Sequence, residues 1–79
     1  MTKKMSWKAY VEFIGYNGKN KDKWSEKFWA IEVIGRKVIR NWGPIGKAGQ
    51  VKVETFATFG EASTFAADLL ASKKAKGYK

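Results

Sequence analysis

"KFWAIEVIGRKVIRNW", residues 27 to 42, decides the fold. Its first half alternates: Trp29, Ile31 and Val33 share one side, and Phe28, Ala30 and Glu32 share the other. That is the period of a β-strand. Gly35-Arg36 then separates two apolar runs, and glycine at the first central position is the signature of a type II′ hairpin. Such a turn pairs Ile34 with Lys37. The register follows outward, with Val33 facing Val38, Ile31 facing Arg40 and Trp29 facing Trp42. Cross-strand partners lie on the same face. Trp29, Ile31, Val33, Val38, Arg40 and Trp42 therefore form one surface, which a one-residue slip would invert.

On the N-terminal side, "WKAYVEFIGY", residues 7 to 16, is rich in aromatic and β-branched residues and reads as a strand. "NGKNKDK", residues 17 to 23, is polar and carries Asn-Gly. It reads as a loop too long for a tight hairpin, with Lys19, Lys21 and Lys23 as a solvated run. On the C-terminal side, the hairpin's second strand covers residues 37 to 45, with Pro44 near its end. Proline cannot donate to a ladder and belongs at an edge, an end or a bulge. "GKAG", residues 46 to 49, is a turn with two permissive glycines. "QVKVETFA", residues 50 to 57, is the fourth strand, with Val51, Val53, Thr55 and Ala57 on one side and Lys52, Glu54 and Phe56 on the other.

Thr58, with Glu61 three residues on, makes a capping box. Ala62, Phe65, Ala66, Leu69 and Leu70 follow at helical spacing, and Gly77 is placed to end the helix. Residues 1 to 6 read as a flexible tail and residues 7 to 79 as a single domain. The order β-β-β-β-α predicts an α+β fold: an antiparallel sheet of about four strands with one C-terminal helix on one face.

Composition narrows the chemistry. The 79 residues contain neither cysteine nor histidine. Thiolate metal sites, disulfides and the commonest general base are all missing. The seven carboxylates form no ligand or acid/base motif. These facts argue against an enzyme and against a metal or other cofactor. Sixteen Lys and Arg against seven Asp and Glu leave a net charge of +9, which attracts polyanions. No signal-peptide pattern and no membrane-length apolar run occurs, so the reading is a cytoplasmic protein, with association to the nucleoid in keeping with the charge.

The segment from Lys27 to Tyr78 resembles the WGR domain family, found in poly(ADP-ribose) polymerases and in small bacterial proteins. The family pattern is matched in order by Phe28-Trp29, Trp42-Gly43, Ile45-Gly46, Gly49-Gln50, Phe56, Glu61-Ala62 and Lys76-Gly77-Tyr78. The resemblance implies a sheet with one flanking helix and a non-catalytic module for DNA binding and interdomain contact. It implies engagement near a strand break, with the triplet's Trp against a terminal sugar and its Arg on phosphate and neighbouring domains. Here the triplet reads Trp42-Gly43-Pro44, and proline carries neither charge nor donor.

The sequence thus points to a nucleic-acid-binding module, DNA favoured over RNA, through a basic surface and Trp42. Arg40, two residues earlier on the same face, and Lys47 in the adjacent turn are candidates to replace the missing guanidinium. Gly43 and Lys52 complete the candidate set. Trp42 reads equally well as a core ring facing Trp29, and "GKAG" as a bare turn. The C-terminal "KKAKGYK" reads first as cations offsetting the helix macrodipole, and second as an anchor for a nucleic-acid backbone separate from Trp42. The alternative function is a protein-interaction module using the aromatic surface around Trp42 and Pro44. Neither reading involves a membrane or a small-molecule substrate.

Overall fold

The computed structural model describes residues 5–17 and 20–79. Four strands, β1 (Ser6–Asn17), β2 (Asn20–Ile34), β3 (Lys37–Pro44) and β4 (Gln50–Thr55), form one antiparallel sheet in sequence order. The helix α1 (Phe59–Ala75) packs mainly across β2 and β3. This is the α+β arrangement expected from the sequence.

The central hairpin keeps the expected register: Ile34 pairs with Lys37, Val33 with Val38, Ile31 with Arg40 and Trp29 with Trp42. Gly35 has φ +58 while Arg36 stays at negative φ, as a type II′ turn requires. Trp29, Ile31, Val33 and Val38 are buried beneath Ala62 and Ala66 of the helix. The two alanines let the helix backbone approach the sheet. Phe65, Leu69 and Leu70 cover the margins of this core with Trp7, Ala9 and Phe56. The Trp7 indole donates to Ser63 Oγ at 2.9 Å, tying the far side of the helix to β1.

Residues 20 to 23, expected in a loop, belong to β2 instead, with Asn20 paired to Asn17 and residues 21 to 23 bulging between that pair and the Tyr16–Trp24 pair. The register shifts between Tyr16 and Asn17. The helix chain ends near Phe13, which Tyr78 meets at 5.7 Å between ring centroids. Beyond that point no helix covers the hairpin, so nothing imposes an apolar alternation on its sequence. Polar composition there reports exposure rather than the lack of a strand. Lys19 and the side chains of Lys21 and Lys23 lie outside the described residues.

The helix ends are sequence-encoded. The Thr58 hydroxyl accepts from the Glu61 backbone N–H at 3.1 Å. At the other end Gly77 has φ +105, its N–H bonds Lys74 O, and the Tyr78 N–H reaches back to Lys73 O. This is a Schellman closure, and it aims Tyr78 back at the sheet. Thr58→Ala should cost about 1 kcal/mol through the lost cap. For a domain of this size that lowers Tm by about 4–8 °C, readable in a thermal melt. An unchanged Tm would mean that the cap contributes nothing.

Candidate nucleic-acid interface

Strand parity divides the molecule into two unlike faces. Trp42 and Pro44 lie on the helix side, since Trp42 pairs with Trp29 and Pro44 with Lys27. Gly43 between them points its Cα the other way, onto Phe28. The turn after Pro44 folds back tightly on this strand. A Cβ on Gly43 would lie 2.7 Å from the Gly49 Cα, and one on Gly49 would collide with the Trp42 carbonyl. Asn41 Nδ2 fastens the return, donating to Ala48 O at 3.1 Å and Gln50 O at 2.8 Å. Much of "NWGPIGKAGQ" therefore serves to hold the Trp42–Pro44 segment rigid.

A groove opens beside that segment, lined by Lys27, Trp29, Trp42, Gly43, Pro44, Lys73 and Tyr78. Trp42 is half-buried, with one part in the core and one part on the groove. Lys27 Nζ sits 5.4 Å from the Phe13 ring centre and 5.9 Å from that of Tyr78. Lys73 Nζ sits 5.7 Å from the Trp29 ring centre and 5.5 Å from that of Tyr78. The two ammonium groups thus share one tyrosine ring. Burial holds the Lys73 pKa below the ordinary lysine value, and the charges of Lys76, Lys27 and Arg40 lower it further. Among the described residues the one ion pair is Arg40–Glu54, so neither groove lysine has a carboxylate partner there. Glu26 also lines the groove but accepts from the Trp24 indole at 2.7 Å instead.

The expected site residues divide. Trp42 and Gly43 belong to the groove. Arg40 shares the face of Trp42, as its register required, but its guanidinium pairs with Glu54 and lies 5.6 Å from the Phe65 ring centre. It is largely covered, and its Nε has no hydrogen-bond partner. Lys52 is exposed across the ladder from Arg40. Lys47 is exposed in the turn, where its N–H donates to Pro44 O at 3.2 Å. Lys27 and Tyr78 line the groove although the sequence reading gives them no binding role, and Lys73 comes from the C-terminal basic run, which reads as helix-end cations or as an anchor separate from Trp42. Lys27 was within reach, because the hairpin register extended two steps past Trp29 places it opposite Pro44. Lys73 falls on the helical stripe after Leu69 and Leu70.

Among the described residues, the opposite, open face carries all the exposed large apolar side chains except Met5: Tyr10, Ile14, Tyr16, Trp24, Ile34, Val51 and Val53. Its strand positions also hold Glu12, Glu26 and Glu32 against Lys8 and Lys37. The Tyr10 hydroxyl donates to Glu12 at 2.8 Å, which raises the phenol pKa. This face has no cationic excess among the described side chains. Among the described side chains, the cations on the sheet's helix side are Lys27, Arg40 and Lys52, with Lys73 above them.

Comparison with known proteins agrees with this geometry. A family model described as "WGR domain" matches residues 7–79. A crystal structure of a protein from Bacteroides fragilis superposes with a TM-score of 0.70 at 40% identity, covering 89% of this chain. The chain spans 18% of the length of that protein. No curated protein sequence matches.

Proposed function

Since the chain belongs to the WGR domain family, typically a nucleic-acid-binding module in poly(ADP-ribose) polymerases, we propose that it binds DNA through the Trp42 groove. The observation that carries this reading is the pair of lysines without carboxylate partners beside a half-exposed tryptophan. Like charges are held together there at a cost that an incoming phosphate would relieve. Lys27 stands directly across from Pro44 on the same face, where the family's triplet carries arginine. It takes over the cationic role there, with Lys73 beside it. Trp42 packs on a sugar or base, and Tyr78 fixes both ammonium groups. The family resemblance favours open ends or nicks as the target, with Trp42 against a terminal sugar.

Titration of a short duplex bearing 5′-phosphates, followed by tryptophan fluorescence, tests this reading. The same sequence closed by hairpin loops serves as control. The open duplex should bind more tightly, with affinity falling steeply as salt rises. Equal binding to both would remove the preference for ends, and no binding at low salt would overturn the proposal.

Arg40 plays a structural part in this reading. Arg40→Gln should lower stability by about 1 kcal/mol, as for a half-buried charge-assisted bond. DNA affinity should change by no more than about twofold once folding is corrected for. A tenfold loss of affinity without a change in Tm would return Arg40 to the interface.

The open face supports a second reading. Its apolar side chains suit a protein neighbour, and the related structure places such a domain within a much longer chain. Contact made there should be nearly insensitive to salt.

A further inference from the structure

The two edges of the sheet are not alike. On β1, the Glu12 N–H donates to Lys79 O and the Lys79 N–H donates to Glu12 O, both at 2.8 Å. Lys79 thus pairs with that edge at Glu12. Among the described residues β4 has no such cover, and the helix packs over β2 and β3 rather than over it.

The orientation of the β4 backbone follows from one bond. The Phe56 N–H donates to Arg36 O, so Phe56 points toward β3. In an antiparallel ladder the direction alternates along the strand. Gln50, Lys52 and Glu54 therefore point inward, each opposite its β3 partner. Val51, Val53 and Thr55 present their N–H and C=O groups outward. The strand is exposed, contains no proline, and shows Val51 and Val53 at 63% and 52% of full exposure. Such an edge is a template for another strand.

The sequence "QVKVET" is complementary to itself when reversed about Val53. Antiparallel pairing with a second copy sets Val53 against Val53 and Val51 against Thr55, and uses every outward backbone group of the strand. The same register sets Lys52 of each copy against Glu54 of the other, as close non-hydrogen-bonded neighbours on the helix side. The symmetry axis stands perpendicular to the sheet. Both helices then lie on one face, clear of the junction, and the two apolar open faces become continuous. From this geometry we propose that β4 is a homodimerisation edge, its occupant the β4 of a second copy of this chain.

A single strand pair is a small interface, so the dimer is weak and depends on concentration. The net charge of +9 on each copy also opposes it, which moderate salt relieves by screening. Sedimentation velocity at about 0.3 M salt, up to about 1 mM protein, covers the weak end of specific association. The mass should rise with concentration from 8.9 kDa to twice that value and stop there. Val53→Pro removes an outward donor while leaving the β3–β4 bonds intact. It should stay monomeric throughout, with an unchanged far-ultraviolet spectrum. Lys52→Glu should weaken association about tenfold by opposing like charges. The double exchange Lys52→Glu with Glu54→Lys should restore it, while still leaving a carboxylate near Arg40. A wild-type protein monomeric over the whole range overturns the proposal. So does growth beyond the dimer, or a folded Val53→Pro variant that associates like wild type.

Discussion

Gly49→Ala should lower the stability of the protein by about 2–5 kcal/mol. Gly49 holds φ +74, where an alanine is disfavoured by about 1–2 kcal/mol. Its added methyl would also collide with the Trp42 carbonyl and press on the Phe28 ring at 3.1 Å. Overpacking against backbone costs about a further 1–3 kcal/mol, because neither neighbour is a flexible side chain. A domain of this length has about 4–12 kcal/mol of stability in total, so the loss is a large fraction of it. Gly46→Ala is the control. Its φ is +92, but nothing lies within 4 Å of the added Cβ, so only the conformational cost applies. Urea denaturation of both variants measures the difference. Equal, small losses in both would mean that the close approach of the turn to Trp42 is unimportant.

The paired substitution Lys27→Met with Lys73→Met should abolish most DNA binding without harming the fold. Each lysine that neutralises a phosphate contributes about 0.9 to the log–log salt slope on a duplex, and roughly tenfold in affinity at 0.1 M salt. The slope should therefore fall by about 1.8 and the affinity by about 100-fold. Methionine keeps the apolar stem on Trp29 and Tyr78 but removes the charge. Stability should hold or rise, and the sign follows from the depressed Lys73 pKa. A lysine whose folded pKa lies below its unfolded value is destabilising wherever it is charged in both states. That cost is fully present at neutral pH and fades only as pH rises from the folded to the unfolded pKa. Lost affinity with retained Tm marks a binding site. Equal loss of both would make the lysines structural.

Much of the architecture was legible because a few local rules agreed. The Gly35-Arg36 turn fixed the register, the alternation of Trp29, Ile31 and Val33 fixed the buried face, and Thr58 with Gly77 bounded the helix. The polar stretch at residues 20 to 23 misled in part: Asn20 pairs with Asn17, while residues 21 to 23 bulge out of the ladder. The site was less legible. Sequence proximity to Trp42 drew attention to Arg40 and Lys47, whereas the lysines beside the groove come from the neighbouring strand and from the helix end. Which cation is free depends on where the carboxylates fall. Glu54 claims Arg40 only through a diagonal contact across β3 and β4. Spacing along the chain carries no trace of that.

Two-dimensional amide NMR of the protein, titrated with the 5′-phosphorylated duplex, tests the central claim most directly. Shifts should concentrate at Lys27, Trp42, Gly43, Lys73 and Tyr78, with the Trp42 indole moving most. Shifts centred instead on Tyr10, Ile39, Val51 and Val53 would place the nucleic acid on the open face and contradict the groove.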